Sequence, residues 1–234
     1  MERKQTCHHS CGHHGHHNCV SLVPIFNHLE HDQMEEIMKA AKSVSYKKGE
    51  FIYRAGDHSD SLFIVSKGRI KIYRLSESGK EQLLRILNPG DFTGELALFR
   101  ESIHESYGEA MEDTEVCIIT RSDLQEFLLR FPSISLKILS EFAQRLEDSE
   151  TQATRFATER VETRIALYFA ECVDGKDPSM EFVLPMSKKD LASYLGTTPE
   201  TISRKLAEFE EEGYIKQTGR RRIKILDLDG LLLV

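Results

Sequence analysis

The sequence predicts an α+β chain in three parts: a jelly roll, a long helix and a winged helix-turn-helix. Three observations predict it. Between Tyr46 and Thr120 short apolar runs alternate with glycines, from Ile134 to Phe156 one helical pattern runs on thinly capped, and residues 186–226 read as two short helices followed by a hairpin. At 234 residues and 40% apolar content the chain can build two proper cores. The expected division is a Cys/His-rich segment over 1–20, the jelly roll over 21–125, the long helix over 126–158 and the winged helix-turn-helix over 159–234.

The first segment holds Cys7, Cys11 and Cys19 with His8, His9, His13, His14, His16 and His17, and almost nothing apolar, so it is not expected to fold unaided. Order is expected from Val23, followed by an amphipathic helix over Gln33–Ala41 that turns Met34, Ile37 and Met38 inward. Strands are predicted at Phe51–Tyr53, Leu62–Val65, Ile70–Tyr73, Leu83–Ile86 and Glu115–Ile119, with Gly49, Gly56, Gly68, Gly79 and Gly90 between them. Cys117 reads as a buried strand residue, and Cys172 as core packing. His28, His31, His58 and His104 stand alone in sequence and are expected at surface or satisfied polar positions.

From residue 123 to about 172 the pattern is helical. Ile138, Phe142, Arg145, Leu146 and Ser149 follow a spacing of three or four and form a stripe suited to a partner helix. Beyond it, Ser187 and Asp190 have capping-box spacing, so a helix is expected there that buries Leu191 and Leu195 and stops at Gly196. Thr198 can cap a second helix with Pro199 in its first turn. In that helix Ile202, Leu206 and Phe209 face inward, which leaves Glu200, Ser203, Arg204 and Ala207 outward.

The outward set suits the major groove of DNA. Arg204 can donate two bonds to guanine, Glu200 can accept from a cytosine amino group, and Ser203 is short enough to allow close approach. An ordinary solvated helix face has the same pattern, so the next segment matters. Tyr214–Leu226 alternates apolar and polar residues around Gly219, a hairpin signal that would make it a wing. Arg220, Arg221 and Arg222 sit at its tip and Lys188 opens the first helix, which adds Thr198, Lys188 and the three arginines to the expected DNA contacts. Residues 186–226 carry 9 Lys+Arg against 6 Asp+Glu, or +3, so the rest of this −7 chain carries −10. The basic excess is local, as a nucleic-acid face requires. One such helix reads few base pairs, so a two-fold pair of subunits is expected.

Composition narrows the other classes. No apolar run approaches the roughly 20 residues of a membrane span and no signal peptide is expected ahead of the histidines, which points to a cytoplasmic protein. Five cysteines are too few and too clustered for a secreted disulfide scaffold. A cupin-type enzyme would need several metal ligands within the strands, yet residues 46–120 contain only His58 and His104, so no catalytic role is expected. A metal buffer built on the histidines would leave the winged helix without purpose.

The strings Lys67–Ile70, Asn88–Phe92, Gly94–Ala97 and Thr198–Arg204, in this order and across about residues 20–230, closely resemble the CRP/FNR family of bacterial regulators. The resemblance implies a cyclic-nucleotide-binding-like jelly roll as effector domain, a homodimer that repositions two recognition helices on double-stranded DNA, and contact with RNA polymerase if the protein activates. In the cyclic-AMP branch an Arg-Ser pair after the Gly-Glu-Leu motif holds the nucleotide phosphate. Here Glu105-Ser106 takes that place, with Arg100 nearby and Glu95 kept for a structural role. A carboxylate repels phosphate, so cyclic AMP is not the expected effector. The pattern Glu200-x-x-Ser203-Arg204 is similar to the FNR branch, which implies a TTGAT-like half-site with Arg204 on guanine, Glu200 on the facing cytosine and Ser203 on thymine.

That branch also implies a sensor. Three N-terminal cysteines and one from the jelly roll would hold a 4Fe–4S cluster, here Cys7, Cys11, Cys19 and Cys117. The spacing C-x3-C-x7-C with interleaved histidines offers Zn2+ in a mixed Cys/His site as the alternative, with nickel or haem as further options. A Cys19–Cys117 disulfide would need no metal. The readings therefore stay open among a cluster, zinc or another transition metal, a dithiol, and a tail without function whose regulator answers a small molecule.

Overall fold

The computed structural model describes residues 17–99, 102–173 and 179–234. Its elements run α1 (His17–Leu22), α2 (His31–Ala40), β1 (Lys42–Tyr46), β2 (Phe51–Tyr53), β3 (His58–Ser59), β4 (Ser61–Lys67), β5 (Ile70–Leu75), β6 (Glu81–Leu87), β7 (Phe92–Thr93), a 3-10 turn (Glu95–Leu98), β8 (Ser102–Ile103), β9 (Tyr107–Ala110) and β10 (Thr114–Thr120). Helices then follow: α3 (Arg121–Arg130), α4 (Ser133–Thr158) and α5 (Val161–Cys172). The chain ends with β11 (Glu181–Val183), α6 (Lys188–Tyr194), α7 (Pro199–Glu211), β12 (Ile215–Gln217), β13 (Arg222–Ile225) and α8 (Leu228–Leu232). The chain divides into two compact units, residues 1–70 with 86–139, and residues 71–85 with 140–234.

In the first unit a sheet runs in the order β1-β10-β4-β7, and β2–β9 and β3–β8 form further antiparallel pairs. Every predicted strand is present because each supplies inward apolar residues, among them Leu62, Ile64, Val116 and Ile119, all fully buried. β1 is an addition. Val44 and Tyr46 alternate with Ser43 and Ser45, but Lys42–Ser45 are all exposed, so pairing with β10 rather than burial makes the strand. Order also begins earlier than Val23: α1 covers His17–Leu22 and buries Val20, ahead of Val23, Ile25 and Phe26 in the same core. Helix α2 starts at His31 because the Glu30 backbone N–H donates to Gln33 Oε1 at 3.1 Å, two residues ahead of the predicted start.

Gly94 shows why one turn is fixed. It has φ +86°, and an added Cβ would collide with the Ser61 carbonyl oxygen and press on the Phe63 ring. Only glycine fits. Downstream, Pro132 separates α3 from α4, whose 26 residues bear out the long helix. The stripe on it differs from expectation. Ile138 is buried with Ile134 against its own unit, whereas Leu136, Leu139 and Leu146 are the large apolar residues of α4 left widely exposed.

In the second unit α5 buries Ile165, Ala166 and Phe169, and α7 buries Ile202, Leu206 and Phe209. Phe169 meets Phe182 of β11 edge-on at 5.4 Å, which ties the helices to the sheet β11-β13-β12. The β5–β6 hairpin belongs to this unit, stiffened by a Lys71–Glu81 ion pair at 3.2 Å. Ser193 of α6 fastens the hairpin. Its Oγ accepts from Leu83 N–H and donates to the Glu81 carbonyl, each at 2.7 Å.

Candidate nucleic-acid interface and sensor residues

The helix-turn-helix is built by its caps. Ser187 Oγ accepts from Asp190 N–H at 3.1 Å, and Asp190 returns the contact to Ser187 N–H. Leu191 and Leu195 are buried, and Gly196 adopts φ +67° to end the helix. Thr198 Oγ1 accepts from Thr201 N–H at 3.2 Å, with Pro199 at the first helical position. These contacts aim α7 so that Glu200, Ser203, Arg204 and Ala207 are all exposed on one side.

Each of those side chains is presented differently. Glu200 has its carboxyl held below the usual range by a hydrogen bond from its own backbone N–H and by one from Thr198. It remains an ionised acceptor. The Ser203 hydroxyl donates to the Pro199 carbonyl at 2.9 Å. Arg204 is two-thirds exposed, with Nε 3.7 Å from Glu208 Oε1.

β12 and β13 form the wing, closed by Thr218 N–H donating to the Arg222 carbonyl at 3.0 Å. Arg220, Arg221 and Arg222 are exposed at its tip, Arg222 with Nε 3.8 Å from Glu181. Lys216 and Lys224 stand directly opposite in the register, and Glu181 of β11 stands opposite Lys224 on its other side, so the like-charge pair has a carboxylate beside it. Lys188 is more committed than its place in the sequence suggests. Its Nζ donates to Gln217 Oε1 at 3.0 Å, while Glu210 accepts from both the backbone and side-chain nitrogens of Gln217. Sequence reasoning missed this bridge because neither Gln217 nor Glu210 belongs to a motif.

In the first unit Glu95 begins the 3-10 turn, Glu105 is exposed, and Ser106 is half-buried just ahead of β9. Arg100 lies outside the described residues. His104, next to Glu105, departs from the expected surface or satisfied position. It is buried, its ring stacks on Tyr53 at 3.8 Å, and Nε2 has no hydrogen-bond partner among the described residues. Burial holds the imidazole below its usual pKa against the pull of Asp57, Asp60 and Glu95.

Cys117 is buried in β10, opposite Ser43 on β1 and Ile64 on β4. Cys172 is half-buried, and burial pushes its thiol up. Cys7, Cys11, His8, His9, His13, His14 and His16 lie outside the described residues, and of His17 and Cys19 the backbone alone is described, in α1. That helix packs against β4, the neighbour of β10. Among the described residues no three His, Cys, Asp or Glu side chains are grouped to hold a metal, and no helix is long and apolar enough to cross a membrane.

Comparison with known proteins agrees with this architecture. Residues 43–131 match the family described as cyclic nucleotide-binding domain, and residues 163–233 match the Crp-like helix-turn-helix domain. The chain is 33% identical over 217 residues to the probable transcriptional regulator flp of Lacticaseibacillus casei, covering 92% of this chain and 97% of that one. It is 31% identical to the anaerobic regulatory protein of Haemophilus influenzae, over 92% of this chain and 82% of the other. A solved CRP/FNR-family transcriptional regulator of Thermus thermophilus superposes with a TM-score of 0.63 at 28% identity, over 81% of this chain and 96% of that one. A jelly roll, a long helix and a capped, winged helix-turn-helix thus come together with these likenesses, and the chain belongs to the CRP/FNR family of DNA-binding transcription regulators.

Proposed function

We propose that the protein is a homodimeric regulator that reads a TTGAT-like palindrome and whose grip on DNA answers to oxygen, redox or metal status through the amino-terminal Cys/His segment and Cys117. The observation that carries the reading is the row Glu200, Ser203 and Arg204, held outward by a buried opposite face and two caps. Arg204 donates to guanine, Glu200 accepts from the facing cytosine, and Ser203 meets thymine. Arg220, Arg221 and Arg222 take the flanking phosphates. Thr198 shapes the start of the helix, and Lys188 supports the wing.

Leu136, Leu139 and Leu146 supply the apolar stripe along which two α4 helices pair. RNA polymerase is the further partner if the bound protein activates.

For the sensor, the donor set is Cys7, Cys11, Cys19 and Cys117, four thiols that fit a 4Fe–4S cluster. The packing of α1 beside β4 supports it, because the backbone carrying Cys19 belongs to the same core as Cys117. The name of the Haemophilus relative, an anaerobic regulatory protein, points the same way. A second reading is favoured by the six histidines among the thiols: Zn2+ or another transition metal in a mixed site, with no cluster. Cyclic AMP fits poorly. Asp57, Asp60, Glu95 and Glu105 make the region around His104 acidic, and phosphate would be repelled there.

The test is anaerobic purification with an absorption spectrum and metal analysis, followed by DNA binding before and after air. Brown protein with about four irons per chain that loses DNA affinity in air supports the cluster. Colourless protein with stoichiometric zinc supports the second reading. A metal-free monomer indifferent to operator sequence and to oxidation defeats both.

A further inference from the structure

A cavity of about 300 Å³ lies within the second unit, enclosed by the last turns of α4, by α5 and by α6. Its walls are aromatic, from Phe156, Tyr168 and Tyr194, with the two tyrosine rings 5.5 Å apart and tilted by 56°. Two arginines and two carboxylates share it. Arg155 Nη1 is satisfied by Glu171 Oε1 at 2.6 Å. Arg164 is not equally served: its guanidinium carbon lies 5.3 Å from the Phe156 ring centroid and Nη1 donates to the Glu159 carbonyl, but Nε is buried with no acceptor among the described residues. Arg164 thus lines the cavity with no carboxylate partner among the described residues, so its guanidinium can receive an anion there.

The remaining lining limits which anion. Asp148 faces the same space, so a doubly charged group such as phosphate would meet about twice the repulsion that a single carboxylate meets. Three rings favour a flat apolar body, and the volume admits one or two rings. We propose that this cavity binds a small planar aromatic monocarboxylate, with the carboxylate on Arg164 and the ring against Phe156, Tyr168 and Tyr194.

Position gives the ligand a consequence. One wall is the long helix α4 and another is α6, the first helix of the reading head, and Gln152 Nε2 of α4 donates to the Tyr194 carbonyl of α6 at 3.3 Å. Phe156 also stands at the turn after α6, where a Cβ on Gly196 would come within 3.4 Å of its ring. A molecule filling the space holds α6 at one angle to α4 and so changes how the pair of α7 helices meets DNA. At about 100° of turn per residue, Asp148, Thr151 and Arg155 project from the far side of α4 from Leu139 and Leu146, so pairing of the leucine stripe leaves the cavity open. The site involves none of the amino-terminal thiols and is a second input, independent of redox or metal chemistry.

Calorimetric titration of the full-length dimer tests it, with indole-3-acetate as probe and tryptamine, the same ring bearing a cation, as control. The expected result is saturable binding of indole-3-acetate at millimolar concentration or below, no binding of tryptamine, and a change in operator affinity when the site is filled. Arg164→Gln should weaken the probe about tenfold or more. Thr151→Trp, on an exposed residue at the rim, should plug the cavity and abolish binding while the protein still folds and binds DNA. The proposal is overturned by absence of binding to the wild type, by equal binding of the two probes, by probe affinity undiminished in Thr151→Trp, or by operator affinity unmoved at saturation.

Discussion

Tyr53 and His104 stack face to face, ring centroids 3.8 Å apart and 11° from parallel, next to the loop that carries Glu105 and Ser106. Tyr53 is anchored in turn by its hydroxyl, 3.0 Å from Thr93 Oγ1. His104 is fixed at both ends of its backbone, since its N–H donates to the Asp57 carbonyl and its carbonyl accepts from Gly56 N–H.

The stack makes stability depend on pH. Burial holds the folded imidazole below its usual pKa, while in the unfolded chain it protonates near about 6.5. Below that value the unfolded state binds more protons, so stability falls as pH drops through about 6.5 toward the folded pKa. His104→Phe should keep the stack and remove this contribution. Urea unfolding of both proteins at about pH 8 and about pH 5.5 should show the smaller loss in the variant. Equal losses would mean that His104 does not titrate as described.

Arg204→Ala should lower specific operator binding by about 1–3 kcal/mol and relax the preference for guanine at one position of each half-site. Folding should be unaffected, because the side chain is two-thirds exposed and its contact with Glu208 is long. A gel-shift series over the four bases at that position is the measurement, and an unaltered guanine preference would remove Arg204 from the readout.

Two glycines separate backbone strain from crowding. Gly79 has φ +78° with open space around its missing Cβ, so Gly79→Ala should cost only about 1 kcal/mol. Gly94→Ala adds a collision with Ser61 and Phe63 to the same kind of strain, and about 2–4 kcal/mol is expected. Denaturant midpoints for the two variants should rank in that order.

Leu139→Glu with Leu146→Glu places two charges on the exposed stripe of α4 without touching Ile134 or Ile138 in the core. Light scattering should then report a mass near the 26.8 kDa of one chain, and operator affinity should fall at least about tenfold. A double variant that stays dimeric would place the subunit contact elsewhere.

What could be foreseen from the amino acids followed the range of the forces involved. The caps at Ser187 and Thr198, the stop at Gly196 and the stripe Ile202, Leu206, Phe209 depend on neighbours within one turn, and all are as expected. The apolar strands were legible for a similar reason, since short apolar runs bounded by glycine turns are local signals. β1 was not, because Val44 and Tyr46 bury little and the edge strand exists only through its partner β10. On α4 periodicity gave a stripe but not what covers it: Ile138 turned to its own core, and three leucines were left outside. Long-range polar contacts left no trace at all in the order of residues. Lys188 is joined to Gln217 across 29 positions, and His104 lies on Tyr53 from 51 positions away.

Ser203 spends its only proton on the carbonyl of Pro199. While that bond is kept, it offers a base lone pairs and a methylene rather than a donor. Such a surface tolerates the methyl of thymine or an exocyclic amino group and gives nothing to the bare O6 and N7 of guanine. In the proposed readout the hydroxyl would therefore discriminate by what it withholds, leaving the purine that carries two acceptors to the neighbouring arginine.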